Sequence, residues 1–306
     1  MLPRLLSPAA AVFAQATARR VARLGWRAPV PVLCCGNVGV GGAGKTTLAL
    51  DLARRLALRG VAVHCLSRGY GGRARGVLRV DTGVHDASMV GDEPLLLAAV
   101  APTWVCADRA AGAHAAVAAG AGALLMDDGL QNPTLVRDLA FLVIDGAVGF
   151  GNGRVMPAGP LREPVAAAAA RCGAAVLVGP DLAGARTALP AGLPVLGATL
   201  RPDSDLRGRR VLAFAGIARP AKFYATLRQA GAEVVGTHDF PDHYRFGPID
   251  IADVMRQASV LDATPVTTPK DAVRLPADMR DGVLVAGVSL TWDDPDAVEL
   301  MLDRVL

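Results

Sequence analysis

The sequence predicts an α/β protein with a doubly wound parallel sheet and a second, smaller α/β domain. Short apolar runs such as VLCCG, ALLMD and LAFLVID alternate with segments of helical period. Strands without polar alternation are typical of parallel sheets that helices cover on both faces. The polar, turn-rich stretch at 199–210 interrupts this pattern before it resumes. We therefore divide the chain into domains at 1–206 and 207–306.

The composition of the 306 residues, 52% hydrophobic and 20% charged, suits a packed core and is too apolar for a disordered chain. The net charge of +4 favours anionic ligands. We expect no nucleic-acid partner, because no run of Lys and Arg is interleaved with aromatic residues. The five cysteines lack CxxC or disulfide spacing, which favours a reducing compartment. They are Cys34, Cys35, Cys65, Cys106 and Cys172.

The N-terminal stretch SPAAAVFAQATARRVARLGWR predicts an amphipathic helix that ends near Trp26. Its apolar side includes Phe13 and Leu24, and arginines gather on the neighbouring side. Two interpretations are open. The helix could lie in a membrane interface, where its arginines would meet lipid phosphates, or it could pack on its own domain. The apolar stretch at 110–126 is too short and too rich in Ala and Gly for a membrane span, so we expect none.

The strongest motif runs from Gly39 to Thr46 and matches GxxxxGK[ST], with a predicted strand before it and a predicted helix after it. Glycines let backbone N–H groups point into an anion cavity at a helix N-terminus. Lys45 is expected to reach the β- and γ-phosphates of ATP, and the Thr46 hydroxyl to bind Mg²⁺. The motif therefore predicts a P-loop NTPase fold. The nucleotide-binding residues are Gly39, Val40, Gly41, Gly42, Ala43, Gly44, Lys45, Thr46 and Thr47.

Two acidic residues, Asp127 and Asp128, stand at the end of the apolar run GALLMDDG. P-loop proteins hold Mg²⁺ at such a strand end, directly or through water. Two buried acids there would be costly without a cation nearby. An ordinary Asp-Gly turn is the alternative.

Four further residues allow both a chemical and a structural interpretation. Asp92 and Glu93 precede an apolar helical run, so they could be acids that the helix dipole favours. One of them could equally be the base that a kinase needs near its acceptor hydroxyl. His243 is a lone histidine in the loop FPDHYRF, a kind that is most often structural. Arg162 lies in the irregular stretch RVMPAGPLREP, which could be a connector or could hold an arginine over the transferred phosphoryl group.

Taken in order, these motifs resemble the tetraacyldisaccharide 4'-kinase family of lipid A biosynthesis. The matching segments are GNVGVGGAGKT, SRGYGG, GDEP, DDGLQ, GPLREP, AFAGIARP and FPDHYRF. They occur in the family's order and cover most of the chain. A single P-loop is weak support for a family, whereas this ordered set is highly specific.

The resemblance implies that ATP phosphorylates the 4'-hydroxyl of a tetraacylated glucosamine disaccharide 1-phosphate, which yields lipid IVA. It implies a peripheral enzyme on the cytoplasmic face of the inner membrane of a Gram-negative bacterium, with the N-terminal helix on the membrane. The active site is then expected between the kinase domain and the smaller domain. We expect a monomer.

The resemblance also implies roles for individual residues. Asp92 would accept the hydroxyl proton, and His243 would orient Asp92 across the cleft. Lys45 and Arg162 would stabilise charge on the γ-phosphate. The residues of the Mg²⁺ site would be Thr46 and Asp128, with support from Asp127 and Glu93.

The sequence departs from the family pattern at a few positions. Thr47 stands where Pro is common, Leu130 replaces an aromatic residue and Asn132 replaces a histidine. The rival from another class is a deviant P-loop switch ATPase of the partitioning or metal-insertion type. Its signature lysine would occupy the position of Val40, and this chain lacks it. A non-catalytic nucleotide-binding module would have no need for this set of acids and arginines.

Overall fold

The computed structural model describes residues 5–306, so the first four residues of the predicted domain 1–206 lie outside it. The strands, in chain order, are β1 (Val32–Gly36), β2 (Val63–Ser67), β3 (Val77–Arg79), β4 (Thr103–Cys106), β5 (Ala123–Asp127), β6 (Leu139–Asp145), β7 (Ala174–Val178), β8 (Val195–Pro202), β9 (Arg210–Ala215), β10 (Glu233–Asp239), β11 (Thr264–Thr267), β12 (Leu284–Val285) and β13 (Val288–Trp292).

The helices are α1 (Ser7–Val21), α2 (Lys45–Leu58), α3 (Ala87–Val90), α4 (Asp92–Ala98), α5 (Arg109–Ala118), α6 (Val165–Ala169), α7 (Pro220–Gln229), α8 (Pro248–Val260), α9 (Pro269–Ala272) and α10 (Pro295–Asp303). Short 3₁₀ helices cover Ala185–Ala188 and Ala277–Gly282.

Over the described residues, the larger sheet has nine strands in the order β13-β8-β7-β6-β1-β5-β2-β4-β3. Its inner strands are parallel, and the edge strands β3 and β13 pair antiparallel with their neighbours. Strand β1 lies between β5 and β6, where Cys35 is opposite Asp127 and Phe141. The loop after β1 therefore emerges beside the carboxyl ends of β5 and β6, which is where this fold binds ligands.

The larger sheet is buried on both faces. All five residues of β1 are buried, as are all seven of β6, which explains their unbroken apolar sequences. Helix α2 presents Leu48, Leu52 and Leu56 at four-residue spacing, and all three are fully buried against one face. Truncating any of them to Ala would cost about 2–5 kcal/mol of stability. This packing fixes the direction of α2 and hence the loop that precedes it.

The smaller sheet has the order β10-β9-β11-β12 and is parallel throughout. After β12 the chain returns to the larger sheet, where β13 pairs with β8. Helix α10 then buries Val298, Met301 and Leu302 in the core of that sheet. The division at residue 206 stays a prediction. The structure adds that the residues from 288 to 303 pack on the larger sheet.

Helix α1 is largely exposed. Its buried residues are Ala10 and Thr17, whereas Val12, Phe13 and the following Leu24 are exposed. Between residues 5 and 306, no helix combines the length and the apolar character that a bilayer crossing requires.

Candidate active site

The loop between β1 and α2 has the conformation that its glycines allow. Gly41 has a φ of 130° and Gly44 a φ of 90°, values that residues with a side chain rarely adopt. A Cβ added at Gly41 or Gly42 would meet no atom within 4 Å, so the space in front of the loop is open. Helix α2 begins at Lys45, and its unpaired N-terminal N–H groups favour an anion at this place.

Lys45 and Thr46 both face the acidic end of β5. Lys45 Nζ donates to Asn37 Oδ1 at 3.2 Å and lies 3.8 Å from Asp128 Oδ1. Burial lowers the pKa of the Lys45 ammonium, although the charge of Asp128 acts in the opposite direction. Thr46 Oγ1 donates to Asp127 Oδ2 at 3.1 Å. The structure therefore brings together four of the residues that the sequence predicts around the phosphates and Mg²⁺.

The carboxyl group of Asp127 has the environment of a cation site. It is buried, and its Oδ1 accepts no hydrogen bond from any residue in the range 5–306. Burial, together with the charge of Asp128, raises the pKa of Asp127 to about 6. Asp128 follows with a φ of 52°, so the chain turns sharply after β5. An orphaned carboxylate oxygen beside the Thr46 hydroxyl fits Mg²⁺, which prefers oxygen ligands.

The described residues contain no cluster of three or more His, Cys, Asp or Glu side chains that could hold a metal unaided. This agrees with the way Mg²⁺ is bound in kinases, where one or two carboxylates share the ion with substrate phosphates and water. The site fits Mg²⁺ only together with a nucleotide.

Arg162 lies beside the same acids. Its Nη1 donates to both carboxylate oxygens of Asp128, at 3.0 and 3.1 Å. Gln131 Nε2 donates to Glu163 Oε1 at 2.8 Å, and Arg171 Nη2 donates to both oxygens of the buried Glu163 at 2.8 Å. The Glu163–Arg171 pair thus anchors the irregular stretch that carries Arg162. The family resemblance implies that Arg162 lies at the phosphates, and the sequence did not indicate the residues that support it.

Asp92 and His243 meet across the two sheets. Asp92 is the first residue of α4 and is buried, whereas His243 lies in the loop after β10 with a φ of 59°. His243 Nδ1 is 3.0 Å from Asp92 Oδ2. The backbone N–H of His243 donates to the Gly216 carbonyl at 3.0 Å, which holds the loop in place. The contact predicted between these two residues is present.

Arg274, which sequence reasoning missed, makes two hydrogen bonds to Asp92. Its Nε donates to Asp92 Oδ1 at 2.9 Å and its Nη2 to Asp92 Oδ2 at 2.6 Å. Its Nη1 donates to Asp271 Oδ1 at 3.0 Å. Burial lowers the pKa of Arg274, but the hydrogen bond and charge of Asp92 raise it overall. No pattern in the sequence around VRL indicates this role.

Glu93 has a partner that the sequence did not suggest. Lys270 Nζ, from α9 after β11, donates to Glu93 Oε1 at 2.6 Å. The predicted support of Glu93 for the Mg²⁺ site stays a prediction, because the carboxylate of Glu93 here pairs with a lysine. Nothing in the sequence of the segment TTPKD, which carries Lys270, indicates that it lies beside Glu93.

Two departures from the family pattern have structural roles. Leu130 is fully buried, and a Cβ on Gly36 would lie 2.5 Å from the Leu130 Cβ, so the two residues pack closely. Asn132 Oδ1 accepts from the backbone N–H and the hydroxyl of Thr134, at 3.0 Å each.

A phosphate loop, an Mg²⁺ site completed by nucleotide and a separate buried carboxylate bonded to a histidine define a P-loop kinase with a hydroxyl acceptor. A sequence model described as Tetraacyldisaccharide-1-P 4'-kinase matches residues 2–306. The chain belongs to this family. The match confirms the function and enzyme class predicted from the sequence and does not favour the switch ATPase.

Individual relatives agree. The tetraacyldisaccharide 4'-kinase of Gluconacetobacter diazotrophicus is 58% identical over 99% of this chain and 94% of its own length. That of Rhodospirillum centenum is 53% identical over 100% of this chain and 92% of its own length. A crystal structure of LpxK from Aquifex aeolicus in complex with ATP is 27% identical with a TM-score of 0.81, covering 100% of this chain and 99% of that chain. This likeness confirms the predicted fold class.

Proposed function

We propose that Asp92 is the base of this kinase, which uses ATP and Mg²⁺ to phosphorylate the 4'-hydroxyl of tetraacyldisaccharide 1-phosphate in lipid A biosynthesis. The observation that carries the proposal is the contact of 3.0 Å between Asp92 Oδ2 and His243 Nδ1. A carboxylate and a histidine that meet across two sheets, near a phosphate loop, are suited to move a proton rather than to stabilise a single domain.

The proton leaves the 4'-hydroxyl as its oxygen attacks the γ-phosphorus, and it passes to the Asp92 carboxylate while ADP departs. Arg274 fixes the plane of that carboxylate, because its Nε and Nη2 bond both oxygens. His243 orients the same carboxylate from the side of the smaller sheet. A base must come within about 2.6–3.2 Å of the hydroxyl, so this orientation decides its efficiency.

The charge of the transferred group is stabilised by cations beside the loop. Lys45 and Arg162 are suited to this role, because both cations lie next to Asp128 at the edge of the phosphate site. Mg²⁺ would be held by Thr46, Asp127 and Asp128, and when bound it neutralises charge on the β- and γ-phosphates. Each cation acts more strongly in a site from which water is excluded.

The test is an ATP-dependent assay on tetraacyldisaccharide 1-phosphate in detergent micelles. Asp92→Ala should lower kcat by about 10²-fold or more, as expected for the loss of a general base. Asp281→Ala is the matched control, because Asp281 is an exposed aspartate of the smaller domain. Near-wild-type kcat in Asp92→Ala would leave Asp92 as a helix-start residue. Absence of 4'-phosphorylated product from folded wild-type protein would refute the activity itself.

We further propose that the enzyme binds peripherally to the cytoplasmic face of the inner membrane through α1. Val12 and Phe13 of this helix and the following Leu24 are exposed, and Arg19 and Arg20 lie exposed beside them. Exposed apolar residues next to arginines suit an interface with anionic lipid. The acceptor is itself a lipid, so a membrane surface is where it would be met.

Trp26 lies beyond the end of α1 and packs on the rest of the protein. Its ring stacks on His114 with 3.7 Å between the ring centroids, and its backbone N–H donates to the Thr134 carbonyl at 2.8 Å. The tryptophan therefore fixes the end of the N-terminal segment to the protein. Membrane contact would fall to the residues before it.

Vesicle flotation tests the membrane proposal. Wild-type protein should float with vesicles that contain anionic phosphatidylglycerol, and Val12→Asp with Arg19→Glu should reduce the bound fraction several-fold. Val84→Asp is the control, because Val84 is an equally exposed valine in a loop far from α1 in sequence. Equal flotation of all three proteins would refute the role of α1. The predicted monomer stays a prediction that light scattering can check.

A further inference from the structure

A second contact between the parts of the chain that carry the two sheets lies beside the phosphate loop. It involves β6, whereas Asp92 belongs to the segment between β3 and β4, on the other side of β1 in the larger sheet. Its centre is Asp145, the last residue of β6, whose carboxylate is buried. Asp145 Oδ2 accepts from Arg219 Nη2 at 2.7 Å and from Lys222 Nζ at 3.3 Å. Asp145 Oδ1 accepts from the backbone N–H of Ala147 at 3.0 Å.

Arg219 makes one contact that Lys222 does not. Its Nη2 also donates to the carbonyl oxygen of Gly42, at 3.1 Å. Gly42 lies in the phosphate loop, next to the left-handed Gly41. Because a guanidinium NH₂ group has two hydrogens, one nitrogen can bond the buried carboxylate and the loop carbonyl together.

Arg219 belongs to the part of the chain that carries the smaller sheet. It stands directly before α7, which packs on β9 and β10. The same part of the chain supplies His243 and Arg274 to Asp92. The smaller domain therefore contacts the larger one at the base and at the phosphate loop together.

The charge of Asp145 supports this arrangement. Burial raises the pKa of the Asp145 carboxyl, but the hydrogen bond from Arg219 and the charge of Lys222 lower it overall. The carboxylate therefore stays ionised near neutral pH. An interface ion pair without effect on the reaction is the alternative explanation, and it gives no reason for the bond to Gly42.

We infer that Arg219 is a positioning residue. Its hydrogen bond holds the Gly42 carbonyl of the phosphate loop in position when the smaller domain places His243 against Asp92. Nucleotide binding and assembly of the base are then coupled through one side chain. Because such coupling is reciprocal, a bound nucleotide favours the assembled base to the same extent that the assembled base favours the nucleotide. The inference rests on the kinase activity and adds a role for Arg219 to those proposed above.

The experiment measures equilibrium binding of a fluorescent ATP analogue to the full-length protein, together with kcat and the KM for ATP. Arg219→Ala should raise the dissociation constant by about 5-fold or more, the lower range of allosteric coupling. Lys222→Ala, the matched control, should change it by less than 2-fold, because Lys222 shares Asp145 but does not contact Gly42. Equal effects of the two variants would overturn the inference.

A double-variant cycle separates coupling from structural damage. In the wild-type background His243→Ala should weaken binding of the analogue, whereas in the Arg219→Ala background it should have little further effect. Additive effects would overturn the inference, and unchanged thermal unfolding of each variant would show that folding is intact. Asp92→Ala should lower kcat by about 10²-fold or more and leave this binding cycle measurable, so failure of the proposed base and failure of the coupling are distinguishable.

Discussion

The carboxylate of Asp127 should destabilise the nucleotide-free protein, so Asp127→Asn should make that protein more stable. The pKa of this carboxyl is raised from 3.8 to about 6 by burial and by Asp128. A difference of roughly 2 units, at about 1.4 kcal/mol for each, corresponds to about 3 kcal/mol of unfolding free energy at pH 8. Asn resembles the protonated acid in shape and can still accept the bond from Thr46. It avoids the cost of a buried charge.

The pH dependence gives the sign of the effect. Between pH 4 and 6 the folded state binds more protons at Asp127 than the unfolded state does. The unfolding free energy of the wild type therefore rises as pH falls through this range. The advantage of Asp127→Asn should therefore shrink by about 1 kcal/mol between pH 8 and pH 5. Below about pH 3 it should vanish, because the acid is then largely protonated in both states.

Urea unfolding at pH 8 and pH 5 measures the effect, with nucleotide and Mg²⁺ removed. Asp145→Asn is the control of opposite sign, because the pKa of Asp145 is lowered and its charge is stabilising. Added Mg²⁺ and ATP should then stabilise the wild type, by about 2.7 kcal/mol at 100 times the dissociation constant. Asp127→Asn should lose most of this gain. An Asn variant that is less stable than wild type at pH 8 would refute the reasoning.

Two further predictions concern other buried groups. Arg274→Ala should lower kcat and also reduce the unfolding free energy by about 3–5 kcal/mol, because the buried Asp271 loses its cation. Arg274→Lys should restore the stability more than the kcat. Equal recovery of both would contradict a role of Arg274 in orienting the base. Burial raises the pKa of the Cys34 thiol to about 11 and that of the Cys65 thiol to about 12. Neither thiol should react with a thiol reagent at pH 8 until the protein unfolds. Rapid labelling of the native protein, monitored by mass spectrometry, would contradict this.

The parts of the site that follow single strands were predictable from the sequence. The loop from Gly39 to Thr46 and the acids Asp127 and Asp128 each come directly after an apolar strand. Parallel strands end at one edge of a sheet, so residues at their ends meet even when they are far apart in sequence. Local pattern and a general rule of topology were sufficient to bring these groups together.

The parts that depend on the smaller sheet were not predictable in the same way. Arg274 lies 182 positions from Asp92 and Lys270 lies 177 from Glu93. Arginine and lysine are common at surfaces, and nothing local marks those that cross an interface. The sequence likewise did not indicate that β13 and α10 pack on the larger sheet. The contact between His243 and Asp92 was predicted only from the family resemblance.

The charges at the interface are divided by sign. Three acids, from α4 and the end of β6, meet four cations from the part of the chain that carries the smaller sheet. The pairs are Asp92–Arg274, Glu93–Lys270, Asp145–Arg219 and Asp145–Lys222. Complementary charge of this kind fixes the orientation of two surfaces. If the smaller domain moved away, three acids would remain beside a site that must hold the anionic phosphates of ATP. In the structure these acids are paired with cations, and the proposed base Asp92 is one of them. The contacts that neutralise the acids therefore also orient the proposed base.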